Sequence, residues 1–587
     1  MAQSLLQEHL YGDLLSPTPG YHTDFAMGMT YSLGFDALLT AHLAFGMLGD
    51  VGEKEVQTPH ILLEAILKNS DKMVIFCNKG SIAVPQTIRK VYSLLEKNIF
   101  EVFNPEDTKA NFHPKMWLIR EIHNDDKKDV LLKLIVSSRN MAYSDEIDCI
   151  VALCGKVGNA RFRNEKHSRL RLFIERVVSF SSITDEQTKK VLALAKDVER
   201  VQRFDVSPPF DDYDFYPYLF KEDFGIGKVE DYLCATDSII VSPFIDKNFL
   251  RRINPTREDN RVLITRREYV DSEVFGSYDT GGVYIALDDL ASRGIDIHAK
   301  MYLIWKGREQ HYLFLGSANA TNSAFERNGE FLLKLKFEYG NSKYSHFLKC
   351  FYDKDNKNSK FIRLRQPNEK ASTIIRWDKA ESAMKDLMCA KDLSAKITRH
   401  RDASYSIVVT SSLKKLQNPV FIAPMQKRGL LKQWTGRALF DGLAADELSE
   451  FYIISSQEEE GIRHEAVIRI ATDGMPNDRD TAIYKSIIKN KRDFARFLEL
   501  MLTFSPVQYI SKEQIERDSN AECNSSDVQR PPQIYEQMLR TAAANPNQIY
   551  QIGMIIDKLD SDTVPQEFRV IFKQFEKAIK KSLPYEE

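Results

Sequence analysis

The sequence predicts an α/β protein of two homologous lobes, followed by an α+β module and a helical tail. Three observations carry this. Strands alternate with helical stretches such as "QTIRKVYSLLEKN" and "LDDLASRG" through the first 350 or so residues. A His-x-Lys triplet that opens a strongly apolar run occurs twice, 185 residues apart, as "HPKMWLI" from His113 and "HAKMYLI" from His298. The parts around the two copies also follow in the same order, which is how an internal duplication reads.

One such triplet would mean little, because any three-residue pattern arises by accident in a long chain. Twelve His are present, and the other ten do not open an HxK. After Lys115 come an apolar run, a polar turn, a second apolar run, then Ser138 and Asn140; after Lys300 the same order leads to Ser317 and Asn319. Short runs rich in β-branched and aromatic residues, bounded by turn residues, predict a hairpin of buried strands in each copy. His to Asn spans 27 residues in the first copy and 21 in the second, a difference that the longer turn "HNDDKKD" accommodates. Upstream, "MTYSLGFDALLTAHL" (29–43) parallels "IIVSPFIDKNFLRRI" (239–253) as strand, Ser, Phe, Asp, helix, with Ser32 set against Ser242.

On these residues, "HPK" with Asn140 and "HAK" with "GSAN" and Glu330, the chain resembles the phospholipase D superfamily over roughly residues 20–350. The family pattern usually places Asp five residues after the Lys; Arg120 and Trp305 stand there instead. In that respect the chain resembles the tyrosyl-DNA phosphodiesterase branch and some family nucleases, whose signature is His, Lys, Asn and a later Gln or Glu. Ser137 stands where the other copy has Gly316. The first copy's carboxylate is Asp148, by alignment of "DCIVAL" with "EFLLKL", with Glu146 as its rival.

The resemblance implies two phospholipase D-like α/β lobes packed as a pseudo-dimer, and a phosphodiesterase that needs no metal or other cofactor. Its catalytic set would be His113, Lys115, Asn140, Asp148, His298, Lys300, Asn319 and Glu330, with Ser138 and Ser317 binding substrate. The residue types suit that chemistry. Imidazole can attack phosphorus or protonate a leaving oxygen near neutral pH. Lys and Asn can neutralise charge that develops on the non-bridging oxygens. A carboxylate on the far ring nitrogen fixes an imidazole's tautomer. By the same resemblance His113 is the nucleophile and His298 the general acid, forming a covalent phosphohistidine.

Composition narrows the partners. Net charge is −2, which excludes a chain that is cationic throughout. Local basic clusters at 161–171, 261–267 and 396–401 suit phosphate binding, since screening confines a charge's reach to about 10 Å. DNA is the expected partner and RNA the second candidate; no membrane partner is expected, because no run of about eighteen apolar residues occurs. Seven Cys without a CxxC pair point to reduced thiols, and no signal peptide is recognised, so a cytoplasmic protein is expected. "RHEAVI" lacks the second His of a zinc motif, and "GIGK" lacks most of a phosphate loop.

The expected organisation is lobe 1 over 1–178, a linker or helical connection over 179–235, lobe 2 over 236–352, an α+β module over 353–517, and a polar linker with a helical tail over 518–587. Residues 353–400 read as linker with some helix, 405–475 as strands, and "TAIYKSIIKNKRDFARFLELML" as one helix. The tail predicts an amphipathic helix with Phe568, Ile571, Phe572, Phe575 and Ile579 on one stripe. This half carries no motif. It is expected to position substrate or to dock a partner, such as a motor protein or a second copy.

A nuclease acting on DNA, in DNA processing or defence against foreign DNA, is the leading expectation. The others are a DNA-end repair phosphodiesterase, a phospholipase or phosphatidyltransferase, and a non-catalytic nucleic-acid-binding subunit.

Overall fold

The computed structural model describes residues 11–46, 59–222, 224, 233, 235, 237–253, 260–307, 310–338, 343–352, 359–368, 379–458, 461–502, 534–544 and 546–582. Lobe 1 holds six strands: β1 (Tyr21–Thr30), β2 (Met73–Asn78), β3 (Ile99–Val102), β4 (Met116–His123), β5 (Val130–Ser137) and β6 (Ile150–Lys156). They lie in the order β3-β2-β1-β4-β5-β6. β1, β2 and β3 pair in parallel, while β4, β5 and β6 run antiparallel.

Lobe 2 repeats this topology. Its strands are β8 (Asp237–Val241), β9 (Arg261–Ile264), β10 (Gly282–Ala286), β11 (Met301–Lys306), β12 (Gln310–Gly316) and β13 (Gly329–Phe337). They lie in the order β10-β9-β8-β11-β12-β13, with parallel and antiparallel pairs in the same places. Two further strands extend it: β7 (Phe210–Leu219) pairs with β13, and β14 (Phe361–Arg363) with β10. The stretch 179–235, read from sequence as a connection, thus supplies an edge strand to the second sheet. Its helix Asp185–Arg200 packs on the first lobe through Val191, Leu194 and Val198.

Both sheets are buried on two faces, and so the central strands are near-continuous apolar runs. Met27, Leu118 and Val136 of lobe 1 share one core with Val241, Leu303 and Phe331 of lobe 2, which locks the sheets together. The outer face of the first sheet, including Ala26, Ile75 and Trp117, packs on helices Phe35–Gly46 and Pro59–Asn69 and on the C-terminal helices. The outer face of the second sheet carries its own core with helix Lys247–Ile253.

Register corrects one sequence match. Met116 faces Met29 and Met301 faces Val241, so Thr30, not Ser32, is the counterpart of Ser242. Each of these hydroxyls accepts from a loop amide after the Asn: Met141 N donates to Thr30 at 3.0 Å, and Ala320 N to Ser242 at 2.9 Å. The Ser137/Gly316 difference also has a steric cause. A Cβ at Gly316, whose φ is +150°, would lie 2.2 Å from the Phe331 carbonyl oxygen.

Arg120 and Trp305, at the positions where Asp is usual in the family pattern, serve the scaffold. Arg120 bonds Asp24 at 2.6 Å and Asp197 at 3.1 Å. Trp305 is buried against Phe337, Tyr344 and Phe347.

The C-terminal module pairs two four-stranded sheets around a core of its own. The first comprises β15 (Ser394–Arg399), β16 (Tyr405–Thr410), β19 (Arg437–Leu443) and β22 (Thr472–Asp473). The second comprises β17 (Val420–Pro424), β18 (Lys432–Gln433), β20 (Phe451–Gln457) and β21 (Arg463–Arg469). β15 lies inside the stretch read as linker. The predicted single helix is two, Arg479–Ile487 and Lys491–Leu502. The polar linker 518–533 lies outside the described residues. The tail forms three helices, Ile534–Ala544, Pro546–Lys558 and Gln566–Ser582. In the last, Phe572, Phe575 and Ile579 are buried and Phe568 packs beside them, but Ile571 is half exposed and leaves the predicted stripe. These helices cover lobe 1, so the stripe is core here.

A buried ion pair joins this module to lobe 1. Arg479 bonds Glu96 at 2.5 Å, each side chain 7% exposed, and Glu96 also accepts from Ser449 Oγ and the Glu450 amide at 2.7 Å. Removing one member of a buried pair strands the other, at a cost of about 3 kcal/mol or more. Arg479→Met is therefore expected to lower the unfolding free energy by that order and the urea midpoint with it, with the first loss of signal in the C-terminal module. An unchanged midpoint would show that the pair is not the anchor.

Candidate active site

Each HxK segment lies just before the strand that follows it, β4 or β11, and is tied by backbone to the opposite lobe. His113 N donates to Gly329 O at 2.8 Å, and Gly329 N donates to Asn111 O at 2.8 Å. In the mirror-image place, His298 N donates to Ile147 O at 2.9 Å, and Ile147 N donates to Asp296 O at 2.9 Å. Both junctions are parallel bridges, Phe112 with Gly329 and Ile147 with Ile297. Each therefore sets one lobe's His beside the other lobe's carboxylate.

The side chains complete the exchange. His113 Nδ1 lies 2.9 Å from Glu330 Oε2, and His298 Nδ1 lies 2.8 Å from Asp148 Oδ1. Asp148, not Glu146, is the first-lobe carboxylate on the imidazole. Glu146 stands 3.9 Å from His298 Nδ1 and pairs with Arg266 at 2.9 Å. Arg266, which the motifs did not single out, also donates Nε to Ile297 O at 2.9 Å and so braces the segment before His298. With the carboxylate on Nδ1, each ring carries its proton there and keeps Nε2 for chemistry.

Ser138 and Ser317, the substrate-binding residues that the resemblance implied, face the carboxylates. Both are wholly buried. Ser138 Oγ donates to Asp148 Oδ1 at 2.7 Å and accepts from Cys149 N at 2.9 Å. Ser317 Oγ donates to Glu330 Oε2 at 2.5 Å and accepts from Phe331 N at 2.9 Å. They hold the carboxylates that hold the imidazoles.

Lys115 and Lys300 are 1% and 0% exposed. Each ammonium donates to the carbonyl of its own His, Lys115 at 3.1 Å and Lys300 at 2.5 Å. An ammonium has three protons to donate, so two remain for an anion. Burial pushes the Lys300 ammonium down to about 8, against the pull of Asp148. Lys115 is held well below the ordinary lysine range by burial and by Lys300. Two cations forced together in a dry place are a site prepared for negative charge.

Burial also lowers both imidazoles. His113 is pushed down to about 4, with Glu330 opposing and Lys115 adding to the fall. His298 is lowered by burial while its bond to Asp148 opposes. Asp148 stays below the usual carboxylate range because the bonds from His298 and Ser138 outweigh burial, which alone would raise it. Both rings are thus neutral near pH 7. A neutral His113 with its Nδ1 proton on a carboxylate is a competent nucleophile.

Asn140 Oδ1 accepts from Ser32 N at 3.4 Å, and Asn319 Oδ1 is buried with no hydrogen-bond partner among the described residues. The Asn residues follow β5 and β12, in loops that Thr30 and Ser242 pin.

The basic clusters are mostly neutralised. In the first, Arg163, Lys166, Arg169 and Arg171 all face Glu199, Asp212 or Asp214 within 4 Å. In the second, Arg261 is buried, Arg266 braces the site and Arg267 pairs with Asp288 at 3.1 Å. The third is an exposed row from β15 into the following turn.

No protein-family model and no curated protein matches the chain. Among solved structures it is similar to yeast tyrosyl-DNA phosphodiesterase, 11% identical, over 57% of this chain and 86% of that one, with a TM-score of 0.35. Two structures of single-site mutants of that enzyme give 11% identity, 56–58% and 85–86% coverage, and TM-scores of 0.34 and 0.33. Among the described residues no helix is long and apolar enough to cross a membrane.

The burial of His113 has a direct readout. In 15N-histidine-labelled protein its ring is expected to stay neutral, with the proton on Nδ1, until the pH falls to about 4. Because Glu330 raises that value, Glu330→Gln should lower it further. A titration near the ordinary 6.5 would show that the ring is solvated. In its duplicated α/β lobes and its paired His, Lys and Asn, the chain resembles the phospholipase D superfamily.

Proposed function

We propose that the chain is a phosphodiesterase that works without metal through a covalent phosphohistidine, and that it is a nuclease whose substrate is DNA. The observation that supports this best is the crossed pair of imidazole–carboxylate contacts beside two buried lysines.

In this reading His113 Nε2 attacks phosphorus, and the P–O bond to the leaving group breaks in line on the opposite side. His298 gives that oxygen its proton. Water then attacks the phosphohistidine, His298 takes the water's proton, and the N–P bond returns its electrons to His113. Asp148 and Glu330 stabilise whichever ring is transiently cationic. Lys115, Lys300, Asn140 and Asn319 donate to the non-bridging oxygens as charge builds on them. His298 starts neutral because burial, and after it the two lysines, disfavour its charge. A bound phosphate offsets the lysines and so favours protonation of the ring that must act as acid.

A DNA-end repair activity shares every step and differs only in the leaving group. RNA remains the second nucleic-acid candidate. Among macromolecular roles, processing of DNA or defence against foreign DNA fits the expected chemistry by analogy alone.

The test is hydrolysis of plasmid, end-blocked oligonucleotide and phosphatidylcholine, each with and without EDTA. Cleavage of a DNA substrate that survives the chelator is expected. His113→Ala and His298→Ala should each remove nearly all turnover, and the double variant should be little worse, since residues acting as a unit are not additive. Activity strictly restored by Mg²⁺ or Mn²⁺, or two additive half-activities, would overturn the mechanism; cleavage of lipid alone would overturn the substrate.

A further inference from the structure

A cavity of about 170 Å³ lies between lobe 1 and the C-terminal module, on the His113 side of the site. The first lobe contributes Tyr31, whose ring centre is 5.1 Å from that of His113 and 5.7 Å from Lys115 Nζ. It also contributes Asn111, two residues before His113. The module contributes the helix Lys379–Met388 and the strand β21. The two bodies are joined at the cavity itself: Lys385 Nζ donates to Asn111 Oδ1 at 3.1 Å, and Val467 N donates to Ile82 O at 2.9 Å. The wall is tied to the residue before His113, because Asn78, also on the lining, accepts from Phe112 N at 2.8 Å.

The lining decides what fits. Met384 and Met388 give it an apolar, adaptable side, and Tyr31 gives it a ring. Glu381 and Glu465 face it too, Glu381 standing 3.7 Å from His464. Lys79 and Lys385 also line it, so two amines match the two carboxylates and the lining has no excess of positive charge to hold a second phosphate. Acceptors and donors side by side, with an apolar side between, suit an uncharged planar group with hydrogen-bonding edges, and the volume admits one such group, not a duplex.

We propose that this cavity is a subsite for a single nucleobase, the one on the nucleoside that stays attached to phosphorus when the leaving group departs. The proposal rests on the phosphodiesterase reading with His113 as nucleophile. In an in-line displacement the leaving group departs opposite His113, so the group beside His113 is the retained one. On this account the C-terminal module, which carries no catalytic residue, completes the substrate site, and a base must be unstacked to enter it.

The experiment compares p-nitrophenyl esters that share a leaving group and differ in the retained group: thymidine 5′- and 3′-phosphates against methyl phosphate. His113 forms the N–P bond, p-nitrophenolate leaves with the bonding electrons, and water later releases thymidine or methyl phosphate. The ratio of kcat/KM for the better thymidine ester to that for the methyl ester is the readout. It is expected to exceed 10 in the natural protein. It should fall at least tenfold in Met384→Trp, which fills the cavity, and about threefold in Glu381→Ala, a rim residue that tolerates change if the buried Met384 does not. A ratio near 1, or one that both variants leave unchanged while folded, overturns the subsite. If neither ester is cleaved, the phosphodiesterase reading has failed. Equilibrium dialysis of thymidine 3′-monophosphate then judges the cavity alone: binding weakened by Glu381→Ala supports it, and no binding, or binding indifferent to both variants, overturns it.

Discussion

The structure turns on a reciprocal contact, in which the imidazole of each lobe hydrogen-bonds the carboxylate of the other. Neither lobe alone has a complete site. His113 without Glu330 would lose the group that sets its tautomer, and His298 without Asp148 likewise. The requirement explains the continuous core between the sheets, since two rings held at 2.8–2.9 Å from their carboxylates tolerate little sliding of one lobe on the other. It also explains the parallel bridges on either side of the site, which fix register at the residue next to each catalytic group.

Buried charge is the second constraint. Two lysines, two carboxylates and two imidazoles share one site, buried at Lys115, Lys300, His298 and Glu330 and part-buried at His113 and Asp148, so that carboxylates stand opposite the ammonium groups. The balance is not comfortable: burial lowers both lysines and both rings. In the proposed reading, a phosphodiester would relieve it by adding negative charge beside the lysines, and a transition state with more charge on its oxygens would relieve it further. Stabilisation that grows along the reaction is what accelerates a step.

Much of the site was legible because duplication writes it twice. His, Lys, Ser and Asn recur in order, and so chance could be set aside for the pair where it could not for one copy. The α/β class followed from strands and helices alternating at short spacing. What stayed illegible depends on chain segments meeting in space. Asp148 and Glu146 are two residues apart, and only the bridge between Ile147 and Ile297 puts one on His298 and the other on Arg266. Ser138 and Ser317 were expected from the resemblance to bind substrate, and their hydrogen bonds to the carboxylates come from the pleat, which turns them inward. Ser32 was matched to Ser242 by letter, and strand register moves the match to Thr30, whose hydroxyl does the same work. β7 and β15 were read as connections: their pairing partners are distant or lie in segments with no motif to anchor them.

The most direct test of the crossed arrangement is Asp148→Asn, because Asp148 lies in the lobe of His113 but touches His298. With a p-nitrophenyl ester, whose leaving group departs unprotonated, His113 should still attack, while His298, deprived of its carboxylate, should activate water poorly. A covalent phosphohistidine should therefore accumulate and map by mass spectrometry to His113, and Glu330→Gln should accumulate none. The opposite pattern, an adduct on His113 in Glu330→Gln and none in Asp148→Asn, would mean that each carboxylate serves the imidazole of its own lobe and would contradict the account.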